Sequence, residues 1–298
     1  MKILHVSAGW EEWNGAANIA RLIGGEQERS GHSVTCRVWA GIGELRKAGE
    51  VWIHCSWSPC LWWAVMWGRH VRWVPEGSYD PVRLQYHAWK KWLVTPIERF
   101  FLRRVERVVA TCKAEAEWIK AFEPRVKEVE TTDVKRFFKL PPEGGECTIE
   151  KVQSFISSRK RLVHLLYMGR NHPLKGLEYL DRALREVSPD TAPRFEFRMA
   201  NDFIGLKKQH VWEWCELLVL PTLSDNFGLV VAEALSKWKC VLTTDGAVAW
   251  GENLVPVSEN IAIGYGGRLI FVRNFRDASH PRRVELLVEA LKCILKNP

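Results

Sequence analysis

The sequence contains no C-x-x-C pair, although it has eight cysteines, at positions 36, 55, 60, 112, 147, 215, 240 and 293. Zinc ribbons and thioredoxin-type redox sites need such pairs, so both kinds of site are disfavoured. Single cysteines scattered through a chain of this length are typical of a reduced, cytoplasmic protein in which thiols act as small hydrophobic groups.

Long apolar runs are also scarce. The N-terminal residues MKILHVSAG lack a long apolar region ahead of a small-residue cleavage site, so we expect no signal peptide. The longest run in the aromatic-rich region, from Cys60 to Trp67, is far shorter than the roughly 20 residues that cross a membrane. We therefore expect a protein that does not span a membrane.

The composition is that of an ordinary globular protein. The 298 residues are 47% hydrophobic and 26% charged, which leaves room for two domains with a full core. Lys and Arg number 43 against 35 Asp and Glu, giving a net charge of +8. This excess favours an anionic partner: a nucleic acid, a lipid surface or a phosphorylated small molecule.

Short apolar runs alternate with helical patterns, as in a parallel sheet with crossover helices. The predicted strands are 2–7, 33–40, 51–55, 71–75, 107–111, 127–131, 162–169, 195–199, 217–221 and 241–244. The predicted helices include 17–29, 82–102, 113–122, 175–187, 227–237 and 282–296. Two prolines and two glycines interrupt the pattern over 139–151, so we place a linker there, between domains 1–140 and 141–298.

Aromatic and basic residues are concentrated in the first half. Twelve of the 16 tryptophans lie at or before Trp118, and core packing or a surface for sugars or lipid headgroups would each explain them. The segment from Arg83 to Arg107 has seven basic residues against two glutamates. It fits either a basic amphipathic surface that rests on anionic lipid or a solvated helix face. Pro96 is expected to interrupt it.

The most specific motif runs from Pro221 to Leu235, PTLSDNFGLVVAEAL. A strand ends, a polar loop follows, and a helix is predicted from about Phe227, with Ser224 or Asp225 as its cap and free N–H groups as an anion site. Asp225 and Glu233 are then roughly 10–12 Å apart along the helix axis, too far for an acid/base pair on one bond. They are spaced to bind hydroxyls at the two ends of a nucleotide-sugar.

A second motif lies upstream, YMGRNHPLKG, with Arg170 after a predicted strand and Lys175 opening the next helix. Two cations so placed can face one diphosphate and neutralise the charge that develops on a leaving nucleoside diphosphate, so no metal is expected.

Together these motifs resemble the E-x7-E and G-R-x4-K-G segments of retaining glycosyltransferases of family GT4, with Asp225 in place of the usual first Glu. The resemblance implies a GT-B fold: two Rossmann-like domains facing a cleft, acceptor domain first, with the last helix returning to the first domain. It implies catalytic roles for Arg170, Lys175, Asp225 and Glu233. It places donor contacts at Gly15, Arg170, Lys175, Asn226, Phe227, Gly228, Leu229 and Glu233.

The first domain resembles the same family more loosely, in GHSV before the second strand, VWIHCSWSP from Val51 to Pro59, and EGSYDP from Glu76 to Pro81. Many relatives have a histidine where this chain has Glu76. His54, Glu76 and Tyr79 are therefore the acceptor candidates, and a core role for His54 remains open.

The resemblance implies transfer of a sugar from a nucleotide diphosphate donor, of UDP or GDP type, to a hydroxyl of a glycan or glycolipid. No cofactor and no nucleic-acid partner are expected, and the expected location is the cytoplasm or the inner face of a membrane. A dinucleotide dehydrogenase is disfavoured because G-x-G-x-x-G is absent after the first strand. Two alternatives stay open: a catalytically silent sugar-binding protein of this fold, and a basic nucleic-acid- or lipid-binding module.

Overall fold

The computed structural model describes residues 1–11, 14–145, 147–157, 162–187, 195–200 and 206–295. The chain divides into two units, Met1–Phe137 and Phe138–Pro298, where the sequence predicted a boundary after residue 140. Each unit has one sheet, mainly of parallel strands, with helices between the strands. The predicted α/β class is confirmed.

The first unit contains a six-stranded parallel sheet in the order β2-β1-β3-β4-β5-β6. Its strands are β1 (Lys2–Ser7), β2 (Ser33–Arg37), β3 (Glu50–His54), β4 (Val71–Val74), β5 (Arg107–Ala110) and β6 (Val129–Thr131). Its helices are α1 (Gly15–Arg29), α2 (Ile42–Lys47), α3 (Pro59–Trp67), α4 (Pro81–Gln85), α5 (Ala88–Leu102) and α6 (Lys113–Phe122). The strand order therefore reverses between β1 and β3, because the chain adds β2 on one side of β1 and then β3 on the other side.

Local signals explain the beginning of this unit. The residues of β1 after Lys2 are buried, and α1 begins where the Asn14 side chain accepts a hydrogen bond from the Ala16 N–H at 3.0 Å. Large side chains such as Trp73 and Tyr79 fill the core between the sheet and the helices.

The predicted helix over 82–102 is wrong in one respect: it is two helices, α4 and α5. The break falls at Tyr86 and His87, and His87 has a left-handed backbone with φ of 55°. Pro96, expected to interrupt the segment, lies inside α5 instead. One intrahelical hydrogen bond is lost at a proline, and α5 continues past it because its other face packs on the core.

The second unit contains a seven-stranded mixed sheet in the order β11-β12-β13-β10-β9-β7-β8. Its strands are β7 (Val163–Met168), β8 (Phe195–Ala200), β9 (Leu217–Leu220), β10 (Cys240–Thr244), β11 (Val255–Pro256), β12 (Ile261–Gly264) and β13 (Leu269–Val272). Its helices are α7 (Ile149–Ser157), α8 (Leu177–Val187), α9 (Leu206–Trp214), α10 (Leu229–Ser236) and α11 (His280–Leu295). The sequence predicted none of the strands β11, β12 and β13, and β12 is the strand that runs antiparallel to its two neighbours.

The last helix, α11, packs on α7, α8 and β13 of this unit. Arg283 Nη1 on α11 donates to the Tyr179 hydroxyl on α8 at 2.8 Å. The expected return of this helix to the first domain stays a prediction.

In the part of the chain that the structure describes, no helix combines the length and the apolar character needed to cross a membrane.

Candidate active site

The topology of the second sheet brings the two predicted motifs together. From β7 the chain proceeds to β8 on one side, and then returns to β9 on the other side of β7. In open parallel α/β sheets, ligands bind outside the carboxyl ends of the strands at such a switch point. Arg170 follows β7 and Asp225 follows β9, so both lie at this edge.

The loops after β7 and β9 are tied to each other by backbone groups. The Leu174 carbonyl accepts hydrogen bonds from Thr222 Oγ1 at 3.0 Å and from the Leu223 N–H at 2.8 Å. Because a polar side chain and a backbone N–H both converge on one carbonyl, the relative position of the two loops is fixed.

Lys175 and Asp225 form the charged centre of this edge. Lys175 closes a 3₁₀ turn, Pro173–Lys175, and its Nζ lies 2.5 Å from Asp225 Oδ2. The other carboxylate oxygen, Oδ1, accepts from the Gly228 N–H at 3.2 Å. The Asp225 N–H donates to the Gly246 carbonyl at 2.8 Å. Both charged side chains are partly exposed, so a ligand can reach a cation and an anion side by side.

Arg170 is exposed in the loop that follows β7, two residues after the end of the strand. The buried Tyr167 hydroxyl donates to the Arg170 carbonyl at 3.0 Å, which anchors its backbone. Burial raises the pKa of Tyr167, and the negative charge of Asp225 raises it further. The Asp225 carboxylate therefore lies near the Tyr167 hydroxyl, at the start of the loop that carries Arg170.

The cap expected for α10 is wrong. Gly228 is the N-cap residue, with φ of 67°, and no side chain caps the helix, which begins at Leu229. A Cβ on Gly228 would lie 3.3 Å from Trp250 Nε1, so this glycine serves the loop's own packing and its left-handed backbone. Asp225 nevertheless binds the N–H of that cap residue.

Asn226 and Phe227, predicted to contact the donor, have buried side chains. The Phe227 carbonyl accepts from Trp250 Nε1, and its ring lies 5.6 Å from the Trp250 ring. The Asn226 carbonyl accepts from the Ala249 N–H. Within the motif these two residues therefore hold the loop, while Asp225 and Leu229 are more accessible.

Glu233 lies on α10 and pairs with a residue that sequence reasoning missed. Lys208 Nζ on α9 is 2.7 Å from Glu233 Oε2 and 2.8 Å from Oε1. Both line a groove of about 560 Å³, together with Gln209, Trp212, Glu213, Lys237 and Lys239. No spacing pattern in the sequence marks Lys208, and residues 201–205, just before its helix, lie outside the described part of the chain.

Two of the three acceptor candidates, His54 and Glu76, belong to a row of hydrogen-bonded side chains in the first unit. His5 on β1 and His54 on β3 are neighbours across the switch point of the first sheet, with His5 Nδ1 and His54 Nε2 3.0 Å apart. His54 Nδ1 lies 3.0 Å from Glu76 Oε1, and His5 Nε2 lies 2.7 Å from Gln27 Oε1 on α1.

The hydrogen bonds in this row of side chains are all donated in the direction from Glu76 toward Gln27. An amide oxygen only accepts, so with Gln27 Oε1 facing His5, the Nε2 of His5 carries its proton. In neutral imidazoles, His5 Nδ1 then accepts from His54, and His54 Nδ1 accepts from a protonated Glu76. Burial lowers the pKa of His5 to about 4 and also lowers that of His54. Burial and the Glu115 charge raise the pKa of Glu76.

Tyr79 and Gly15 occupy different settings. Tyr79 is buried in the core and its hydroxyl donates to Glu98 Oε1 at 2.8 Å, which favours a packing role. Gly15 is the exposed first residue of α1, directly after the β1 loop, where backbone N–H groups are unpaired in a helix. Trp13, in the same loop motif, lies outside the described residues.

Among the described residues, no three His, Cys, Asp or Glu side chains are grouped as a metal ion would require.

No protein-family model matches the chain, and no curated protein matches it. Solved structures do. Anabaena Alr3699/HepE, in complex with UDP and glucose, has a TM-score of 0.60 at 12% identity, covering 98% of this chain and 90% of that one. A sucrose-phosphate synthase from Thermosynechococcus elongatus has a TM-score of 0.65 at 13% identity, covering 99% and 90%. WaaG, a glycosyltransferase involved in lipopolysaccharide biosynthesis, has a TM-score of 0.56 at 10% identity, covering 99% and 92%.

These likenesses extend over both units and show the fold. The chain has the two-domain GT-B architecture, as the motifs predicted. At such low identity they say nothing by themselves about the reaction.

Proposed function

We propose that this GT-B chain transfers a sugar from a nucleotide diphosphate sugar, of UDP or GDP type, to a hydroxyl of a glycan or glycolipid. We further propose that it does so with retention at the anomeric carbon and without a metal, as a member of family GT4 in the cytoplasm. The structures similar to it include one bound to UDP and glucose. That observation supports the donor class.

The observation that carries the proposal is the Lys175–Asp225 pair at the β7/β9 switch point. Sequence reasoning placed these two residues on one donor, and they lie 2.5 Å apart although 50 positions separate them in the chain. A cation and a carboxylate at the carboxyl ends of adjacent parallel strands suit a ligand that carries both phosphate and sugar hydroxyls.

The predicted catalytic residues of the second unit then have the following roles. Arg170 and Lys175 bind the diphosphate and neutralise it as it leaves, which makes a metal unnecessary. Asp225 accepts hydrogen bonds from donor-sugar hydroxyls, and its reach is one methylene shorter than that of the family's glutamate. Glu233 binds the ribose hydroxyls, with Lys208 orienting its carboxylate. The N–H group of Leu229, the first residue of α10, adds a donor toward phosphate, and Asp225 holds the preceding loop through the Gly228 N–H. The donor contact expected at Gly15 stays a prediction.

The proposed reaction proceeds on one face of the sugar. The bond from the anomeric carbon to the diphosphate oxygen breaks as the bond to the acceptor oxygen forms. The proton of the acceptor hydroxyl passes to the leaving diphosphate oxygen, so no side chain need act as the base. Arg170 and Lys175 stabilise the negative charge that develops there.

On the acceptor side we propose that Glu76 is the contact among the three candidates. Glu76 is 8% exposed as a residue, whereas His54 and Tyr79 are 0% and 2% exposed. A protonated Glu76 donates its only hydrogen bond to His54, so it would accept one from an acceptor hydroxyl and would not remove a proton. His54 and Tyr79 would support the site from behind.

Thermal unfolding with nucleotides tests the donor class. UDP, GDP, dTDP, ADP, CMP and their common sugar conjugates would be added with magnesium or with EDTA. A ligand at 100 times its Kd stabilises the fold by about 2.7 kcal/mol, a rise of a few degrees in Tm. We expect one nucleoside diphosphate to give this rise in EDTA. A rise only with magnesium would refute metal independence, and salt-sensitive stabilisation by RNA or DNA alone would favour the binding-module alternative.

Substitution of the diphosphate ligands tests the mechanism. Lys175→Ala and Arg170→Ala are each expected to lower the transfer rate about 100-fold to 1,000-fold with little change in Tm. Arg185→Ala is the matched control, because this exposed arginine of the same unit pairs with Asp181, one turn earlier on α8. Unchanged rates in folded Lys175→Ala would refute the role of Lys175. Donor binding without transfer or donor hydrolysis in the unaltered protein would identify a silent sugar-binding protein.

A further inference from the structure

Helix α5 has two apolar faces, of which the first unit buries only one. Phe101 and Leu102 pack in the core, and the Phe101 ring stacks on Trp62 at 6.2 Å. The other face is exposed to solvent. It consists of five large side chains that are between 43% and 75% exposed: Trp89, Trp92, Leu93, Ile97 and Phe100. We call these five residues the α5 stripe.

The positions of these residues make the stripe continuous. At 3.6 residues per turn they fall within about 140° of the helix circumference and extend about 17 Å along its axis. Pro96, which is also exposed, lies within the same sector. A contiguous apolar surface of this kind is unusual on a protein that has no partner for it. The stripe is therefore expected to bind a partner that can bury two indole rings, one phenyl ring and two aliphatic side chains.

Two basic side chains lie against rings of the stripe. Lys90 Nζ lies 5.5 Å from the centre of the Trp89 ring, and the Arg104 guanidinium lies 5.0 Å from the centre of the Phe100 ring. Both basic residues are exposed. The one acidic residue of α5, Glu98, is buried on the opposite face, where it accepts from Trp62 and Tyr79. An approaching surface therefore meets apolar side chains flanked by cations.

An anionic lipid bilayer has the complementary chemistry. Tryptophan side chains favour the boundary between headgroups and acyl chains, where the ring is apolar and the N–H is hydrated. Lysine and arginine beside them gain about 1 kcal/mol each near phosphate headgroups. We propose that the α5 stripe docks this protein on an anionic bilayer, with α5 in the interface plane and Lys90 and Arg104 on lipid phosphates. The docking stands independently of the proposed transfer activity.

Vesicle sedimentation of the full chain tests this docking. Vesicles of phosphatidylcholine alone would be compared with vesicles containing about 30% phosphatidylglycerol. We expect binding to the anionic vesicles and at least about tenfold weaker binding after Trp92→Ser with Leu93→Ser, because both side chains lose their burial in lipid. Lys90→Gln with Arg104→Gln is expected to weaken binding to the anionic vesicles by about tenfold or more.

Trp238→Ser is the matched control. Trp238 is 53% exposed, lies in the second unit and has the Arg268 guanidinium 5.2 Å from its ring centre, but it belongs to no apolar stripe. Its vesicle affinity is expected to equal that of the unaltered protein.

Several results would overturn the docking. These are no binding of the unaltered protein to anionic vesicles, equal binding after Trp92→Ser with Leu93→Ser, or equal loss after Trp238→Ser. A dimer that does not bind vesicles and dissociates in the stripe variant would show by light scattering that a second copy covers α5. Should the double variant unfold, the Lys90 and Arg104 variant, which leaves the stripe intact, decides the matter.

Discussion

Four side chains in the first unit, Gln27, His5, His54 and Glu76, set the protonation of a buried carboxyl through hydrogen-bond polarity. Each neutral imidazole, of His5 and of His54, donates one hydrogen bond and accepts one. Because the Gln27 amide oxygen at one end can only accept, the Glu76 carboxyl at the other end must donate through an O–H. The raised pKa of Glu76 has the same direction, because burial and the Glu115 charge both disfavour a carboxylate there.

Glu76→Gln is expected to keep the fold, because its amide N–H can donate to His54 Nδ1 as the acid does. Glu76→Ala leaves that nitrogen without its donor and is expected to cost about 1–3 kcal/mol of unfolding free energy. The raised pKa means that the folded protein keeps a proton that the unfolded chain releases above pH 4.5. Stability from this group is present below that pH and is lost as the pH rises toward the folded pKa.

Thermal unfolding of both proteins over a pH series measures this effect. The Tm of Glu76→Gln minus that of the unaltered protein is expected to increase from about pH 4.5 to about pH 8. A difference that stays constant or decreases would mean that Glu76 is ionised against a protonated His54.

At the same scale, the sequence predicted that Arg170, Lys175 and Asp225 would lie at one edge of a sheet, because the loops that follow neighbouring parallel strands share that edge. The binding of a ligand by these residues stays a prediction. Lys208 could not be predicted, because its partner Glu233 is reached from a different helix and no local pattern records that approach. The burial of Tyr79 also depends on a distant residue, Glu98, and is invisible in EGSYDP.

Among the elements, the loop after β10 limits how far the loop after β9 can move. A Cβ on Gly246 would lie 2.0 Å from the Thr222 carbonyl oxygen, and the Gly246 carbonyl accepts from the Asp225 N–H. Gly246→Ala therefore forces backbone atoms apart. We expect it to lower the free energy of unfolding by about 1–3 kcal/mol, measured by denaturant unfolding, and to weaken nucleotide binding.

Gly25→Ala is the matched control for this substitution. Gly25 lies inside α1 with nothing within 4 Å of its added Cβ, so the same change is expected to stabilise the protein by about 0.5–1 kcal/mol. Equal effects of the two substitutions, or an unperturbed Gly246→Ala protein, would show that the β9 and β10 loops are not in close contact.

Element boundaries were predictable where hydrophobic pattern and chain punctuation agree. The predicted helix over 113–122 is α6, and the predicted strand over 2–7 is β1. The break at His87 escaped prediction because the helical pattern continues through it, and a left-handed residue other than glycine leaves no sequence signal. Pro96 was expected to break the helix, but α5 continues through it because packing against the core outweighs the local effect of a proline.

At the scale of the whole molecule, the eight thiols differ in exposure. Cys36 is exposed on β2, whereas four thiols are buried and three are half-buried: Cys60, Cys147, Cys215 and Cys240, and Cys55, Cys112 and Cys293. Burial raises the pKa of Cys215 and that of Cys240 to about 12 each. Thiolates are the reactive species. With Ellman's reagent at about pH 8 we expect one thiol of the folded protein to react rapidly, and all eight thiols to react after unfolding.

The variant Cys36→Ser is expected to lose the rapid phase, whereas Cys240→Ser keeps it. Rapid reaction of most thiols in the folded protein would contradict the described burial. Fewer than eight thiols in denaturant without reductant would reveal a disulfide.

The α/β class was predictable from the alternation of predicted strands and helices, whereas the GT-B architecture was predicted from the resemblance of the two motifs to family GT4. Strands β11, β12 and β13 were not predicted, because strands of two to four residues leave little periodic signal and β11 and β12 take their place from pairing that begins at β13.

The outer strands of the second sheet also bear on aggregation. One edge is β11, only two residues long, and its Pro256 has no N–H to offer another strand. The other edge, β8, carries an exposed ion pair, Glu196 with Arg198, with atoms 2.8 Å apart. Charges and proline on edge strands discourage cross-β growth. At high concentration these sheet edges therefore resist fibril formation, and self-adhesion would begin at helical surfaces such as the α5 stripe.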